Sequence, residues 1–189
     1  MRTSITKQNE KTLARLALAC LLVLSSPAYA QLPDKRSLLV SLPDRQLALL
    51  ENGQPKKVYP VAVGKESTPS PTGSFHIFVR VTNPTYYHQG YVIAPGPENP
   101  LGTRWMGLGY KGYGIHGTNA PNSIGKAASH GCIRMAKKDL EELFGMVKVG
   151  DEVEIRGKRD EQMTAIFGAK TDSTVAGSAA MAAGMAGGN

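Results

Sequence analysis

Apolar residues in this chain fall mostly into short runs separated by turn formers, a spacing that predicts strands. The stretch "SLLVSLPDRQLALLENGQPKKVYPVAVG", residues 37–64, alternates Leu- and Val-rich runs with Pro43-Asp44 and Asn52-Gly53. Asn-Gly accepts the positive φ of a two-residue hairpin turn, so antiparallel hairpins are expected at the start of the domain. After the loop "KESTPSPTG", the run "SFHIFVRV" places Phe75, Ile77, Val79 and Val81 on one side and His76 on the other, the period-two pattern of a half-buried strand. Residues 83 to 113, rich in Gly, Pro and Tyr, read as loops and short strands that shape a groove. Only "AKKDLEELFGMV" has helical spacing, with Leu140, Leu143, Phe144 and Val147 three and four apart. "GDEVEIRG" closes the pattern as a strand with Val153 and Ile155 inward.

The pattern predicts a mainly β domain, a β-sandwich with one short helix, spanning about residues 31–158. The ends differ from it. A charged opening (Arg2, Lys7, Lys11, Arg15) leads into "LALACLLVLSS" and then "PAYAQ", the order of an export signal over residues 1–30 with Ala28 and Ala30 before the cut. Retention of the run as a membrane anchor, or lipidation of Cys20, are the alternatives. Residues 159–189, above all "GAKTDSTVAGSAAMAAGMAGGN", hold few large apolar side chains and read as a flexible Ala/Gly-rich tail.

Composition narrows the partners. The formal charge is +7, but after residue 30 the balance is 18 Lys and Arg against 14 Asp and Glu, with no basic run. Nucleic acid is therefore not an expected partner. An export signal places the chain in the periplasm or cell envelope, where unpaired thiols oxidise, and removing residues 1–30 leaves Cys132 as the sole cysteine. Such a thiol is either a small buried hydrophobe or a nucleophile.

The sequence around Cys132 favours chemistry. His116, in "GYGIHGTN", lies sixteen residues before it across "GTNAPNSIGKAAS", a turn-rich connection that can bring imidazole and thiol together. Imidazole within hydrogen-bond reach removes the thiol proton and generates the attacking thiolate. Gly117 and Gly131 let backbone approach closely, so a carbonyl can orient the His116 ring and N–H groups beside Cys132 can face an oxyanion. A carbonyl and an Asp are equally open as the orienter. His76 and His88 read as structural, Arg134 has a reading as a solvated charge, and metal ligation by His116, His130 and Cys132 matches no common zinc spacing.

"IHGTN" followed by "ASHGCIRM" resembles the signature of the L,D-transpeptidase catalytic domain, also called the YkuD domain. "VAVGKESTPSPTGSFHI", "NPLGTRWMGL" and "VKVGDEVEI" extend the resemblance over nearly all of residues 34–158, with "PSP" before Thr72 as a small departure. The resemblance implies Cys132 as nucleophile and His116 as proton acceptor and donor, with the Gly117 carbonyl orienting the ring. It implies an oxyanion site from the N–H groups of His130, Gly131 and Cys132, and substrate contacts from Ser129, Arg134 and Tyr113. No metal or other cofactor is called for. The implied reaction is acyl transfer on peptidoglycan. A tetrapeptide stem is cut between diaminopimelate and D-alanine and passed to an amine on another stem (a 3→3 cross-link), on a lipoprotein lysine or on a free D-amino acid; carbapenem β-lactams are expected to acylate the same thiol. A cysteine peptidase or amidase, in which water resolves the thioester, and a non-catalytic peptidoglycan-binding module are the rival readings.

Overall fold

The computed structural model describes residues 35–110 and 112–169. Strands β1 (Arg36–Ser41), β2 (Gln46–Glu51) and β3 (Gln54–Gly64) form the expected antiparallel meander. Its second turn is Asn52-Gly53, both at positive φ. The short strands β4 (Gly73–His76), β5 (Val79–Thr82), β6 (Tyr86–His88), β7 (Tyr91–Ile93), β8 (Arg104–Gly107), β9 (Gly114–His116), β10 (Ala127–Ser129) and β11 (Ile133–Met135) follow. Helix α1 (Lys137–Met146), strand β12 (Glu152–Arg156) and helix α2 (Glu161–Phe167) complete the order.

All strands but β6 and β7 belong to one sheet in the order β4-β12-β1-β2-β3-β11-β9-β8-β5, with β10 alongside β3. Its two edges, β4 and β5, are consecutive in the chain and separated only by Ile77 and Phe78. The three steps from His76 to Val79 span no more than about 11 Å, so the sheet must curl until its edges meet. Ile77 exchanges backbone hydrogen bonds with Asp151 and Gly150 beside β12, while the Phe78 N–H donates to the Gly107 carbonyl of β8. The run "SFHIFVRV", expected as one strand, is therefore two strands on opposite edges. Phe75 and Ile77 turn toward the core, whereas Val79 and Val81 stay largely exposed. Period-two spacing reads the same for one strand as for two joined by a corner, and only pairing separates them.

The curl encloses a core that includes Leu38, Val40, Leu47, Leu49, Ile115, Ile133, Val153 and Ile155, into which α1 inserts Leu140 and Leu143. The halves of this one sheet make the two layers of the expected sandwich. Strands β1 and β2 are apolar on both faces because Leu39, Ala48 and Leu50 pack outward against Met163 of α2. That burial explains why "LLV" and "LALL" run continuously rather than alternating. Asp160 caps α2, its carboxylate accepting from the Met163 N–H at 2.8 Å. Residues 161–167, assigned by composition to the tail, are thus packed helix. The export signal, Cys20 and the tail from residue 170 lie outside the described residues.

Candidate active site

β9 and β11 lie side by side and parallel, with Ile115 opposite Ile133 and His116 opposite Arg134. Side chains alternate across a strand. The two isoleucines enter the core, and His116 and Arg134 take the other face, with Cys132 two residues before Arg134. Trp105 on β8 lies opposite His116, and Val81 on β5 opposite Trp105. This row across four strands lines a cavity of about 810 Å³ that Cys132 also reaches, and the β6–β7 hairpin contributes Tyr86, Tyr87 and His88 to its wall.

Nδ1 of His116 lies 2.6 Å from the Gly117 carbonyl oxygen. A carbonyl only accepts, so Nδ1 carries the hydrogen and Nε2 keeps a free lone pair. Of the two orienters left open by the sequence, the structure supplies the carbonyl. Gly117 is itself held, its N–H donating to the Leu101 carbonyl at 2.9 Å. The ring is buried, which pushes its pKa down to about 4; the Gly117 hydrogen bond opposes that shift and the Arg134 charge adds to it. At neutral pH the imidazole is therefore uncharged and available as a base.

Cys132 sits in a tightly stapled loop. The buried Ser129 hydroxyl donates to the Cys132 carbonyl at 2.6 Å and accepts from the Gly131 N–H at 3.0 Å. The Ser129 carbonyl accepts from the Lys65 N–H and the Thr68 hydroxyl, each at 3.1 Å, so the loop "KESTPSPTG" buttresses the cysteine loop. Gly131 has φ +114°, and a Cβ there would stand 2.3 Å from the Tyr113 ring. Only glycine fits. The half-buried thiol makes a weak 3.9 Å contact to the Gly112 carbonyl. Burial pushes its pKa up, while a hydrogen bond with the Gly114 backbone and the Arg134 charge pull it back. A raised thiol pKa beside a lowered imidazole pKa describes a neutral pair at rest rather than a preformed ion pair.

The structure thus brings Cys132, His116, His130 and Arg134 to one cavity. Three expectations change in detail. Ser129, expected to touch substrate, also lines the cavity but has its hydroxyl committed inside the loop, and the Gly131 N–H, expected to face an oxyanion, is committed to that hydroxyl. Tyr113, expected in the donor groove, packs over Gly131 and stacks on Tyr110 at 5.8 Å, outside the residues lining the cavity. His76 is exposed on β4, whereas His88 lines the cavity from the hairpin. Among the described residues no three His, Cys, Asp or Glu side chains gather to hold a metal ion, and no carboxylate pairs with Arg134. Sequence reasoning missed Trp105, whose ring stacks on His116 at 5.5 Å. Its being the chain's single tryptophan was the available signal.

Comparison with known proteins gives concordant results. The family model of the L,D-transpeptidase catalytic domain, YkuD, matches residues 35–155. The Bacillus subtilis protein YqjB, provisionally named an L,D-transpeptidase, is 37% identical over 148 residues, 74% of this chain and 84% of that protein. Bacillus subtilis YkuD, named in the same provisional way, is 45% identical over 116 residues, 61% of this chain and 63% of its own length. Among solved structures, the avibactam carbamoyl enzyme of Ldtfm superposes with TM-score 0.56 at 27% identity, covering 67% of this chain and 51% of that one. The chain therefore spans most of YqjB but less than two thirds of YkuD and about half of Ldtfm. With a family match over most of its described length and the fold to accompany it, this chain belongs to the L,D-transpeptidase catalytic-domain family.

Proposed function

We propose that the protein is an exported, cysteine-dependent peptidoglycan L,D-transpeptidase. The observation that carries this reading is the His116 ring, uncharged and fixed by the Gly117 carbonyl with Nε2 free, on the same sheet face and in the same cavity as the Cys132 thiol. Because the pair is neutral at rest, proton removal accompanies attack. His116 Nε2 takes the thiol proton as Sγ adds to the carbonyl carbon between diaminopimelate and D-alanine. The tetrahedral oxyanion is met by the N–H groups of His130 and Cys132, since that of Gly131 serves the loop. Collapse breaks the C–N bond, the imidazolium protonates the leaving D-alanine amine, and a thioester remains. An acceptor amine then adds to the thioester, His116 takes its proton and returns it to sulfur, and the amide product leaves. A stem side-chain amine as acceptor gives a 3→3 cross-link; a lipoprotein lysine or a D-amino acid serves by the same chemistry.

Arg134, unpaired among the described carboxylates, sits opposite His116 at the cavity and suits a carboxylate of the stem. Its charge also favours thiolate over thiol and neutral imidazole over imidazolium. The likeness to a structure described as a carbamoyl enzyme formed with avibactam supports acylation by strained acyl donors, carbapenems included. Export to the periplasm or cell envelope rests on the charged-then-apolar opening that ends in Ala28-Tyr29-Ala30. N-terminal analysis of the secreted protein should find Gln31 first.

The deciding experiment incubates the protein with defined tetrapeptide muropeptides and reads products by mass. Loss of D-alanine with formation of a cross-linked dimer is expected. Release of tripeptide alone, even with excess amine, would convert the reading to a hydrolase, and no turnover or thiol acylation to a binding module.

A further inference from the structure

Asn99 is fully buried, and every polar atom of its side chain is engaged. Its Nδ2 donates to the carbonyls of Pro84, Ile93 and Ala94 at 2.9, 3.1 and 3.2 Å, and its Oδ1 accepts from the Leu101 N–H at 2.8 Å. Three acceptors on one side and a donor on the other leave a single orientation for the amide. The three carbonyls sit at the base of the β6–β7 hairpin, Pro84 two residues before β6, Ile93 at the end of β7 and Ala94 just after it, and the hairpin walls the cavity. From Leu101 the connection continues. Its carbonyl accepts from the Gly117 N–H at 2.9 Å, and the Gly117 carbonyl holds His116 Nδ1 at 2.6 Å. The contact is rigid because Gly102 and Gly117 lie backbone to backbone. A Cβ on Gly102 would stand 2.9 Å from the Gly117 Cα.

We propose that Asn99 is a positioning residue for the thiol–imidazole pair, tying the hairpin that walls the cavity to the Leu101–Gly117 backbone that orients His116. This role presupposes that His116 acts as the base. Asparagine is required because only an uncharged amide gives donors toward the hairpin and an acceptor toward Leu101. Aspartate has the same shape and could still accept from Leu101, but its second oxygen, which has no hydrogen to donate, would face the three carbonyls. The hairpin's own ladder is three residues per strand, too short to fix its position unaided. Anything that seats or displaces the hairpin is therefore felt at the Gly117 peptide.

The test compares Asn99→Asp, Asn99→Ala and the milder Asn99→Ser with Met163→Ala, which removes core packing beyond the opposite face of the sheet. The His116 ring is read by proton–nitrogen NMR, assigned with His116→Gln, and thiol acylation is read by intact mass against carbapenem concentration. In the Asn99 variants the His116 Nδ1–H signal should shift and exchange faster, and the maximal acylation rate should fall roughly tenfold or more. Met163→Ala should lose stability yet keep both readouts. Any folded Asn99 variant suffices, so failure of Asn99→Asp to fold leaves Asn99→Ser to decide. Unmoved ring signals and acylation in folded Asn99 variants would overturn the proposal. The ring readout is independent of activity: if it moves while His116→Gln acylates like the wild type, the base assignment fails and the positioning stands.

Discussion

Trp105 and His116 face each other across β8 and β9, their rings 5.5 Å apart and 30° from parallel. The indole also lies over the Gly114 backbone beside the thiol. It thus covers the imidazole with apolar surface and adds to the burial that lowers its pKa. Replacing it with a smaller ring should let water nearer and raise the His116 pKa from about 4 toward its ordinary value. An NMR titration of Trp105→Phe should show that rise, with acylation losing rate at mildly acidic pH. An unchanged His116 titration would mean that the rest of the site alone excludes water.

The neutral resting pair sets the thiol's own behaviour. Cys132→Ala should abolish acyl transfer, and His116→Ala should lower it by about 10²- to 10⁴-fold with the fold retained, the usual weight of general base catalysis. Because burial raises the thiol pKa, alkylation of wild-type Cys132 by iodoacetamide should climb through the alkaline range without a plateau at acidic pH. A flat, fast acidic limb would instead indicate a thiolate–imidazolium pair.

Burial of His116 makes stability depend on pH. The folded state holds its proton less tightly, at about 4 against 6.5 for the unfolded chain, so the unfolded state binds more protons between those values. Its contribution is complete above about pH 6.5 and is lost as pH falls toward 4, of the order of 3 kcal/mol across that window. Denaturant melts of wild type and His116→Gln should diverge in this window, with the flatter profile in the variant.

Gly131 joins a positive φ to a close approach by Tyr113, so two costs fall on one residue. Gly131→Ala should destabilise the protein by about 1–3 kcal/mol and slow acylation of Cys132. Shrinking the ring in Gly131→Ala/Tyr113→Ala should recover only part of the loss, because the backbone strain remains. Thermal melts together with intact-mass kinetics on both variants check this.

The sequence by itself determined the strand-rich class, the Asn52-Gly53 hairpin, helix α1 and the inward residues of β12, because these are local: turn chemistry and apolar period need no partner strand to be read. It also singled out Cys132 as a lone thiol, and His116 through the turn-rich segment that joins them and the resemblance of "IHGTN" and "ASHGCIRM" to the family signature. Only the tertiary structure decided what pairs with what. The corner at Ile77 that divides "SFHIFVRV" between two sheet edges depends on neighbours far away in the chain. The parallel register of β9 and β11 puts His116 and Arg134 on one face, two residues from Cys132, and a slip of one residue would send one of the pair into the core. Commitment of Ser129 and Gly131 to each other, the Trp105 stack and the Asn99 amide all arise from groups that packing brings together. The same packing removes water from His116, and that desolvation is what lowers its pKa from the ordinary value to about 4.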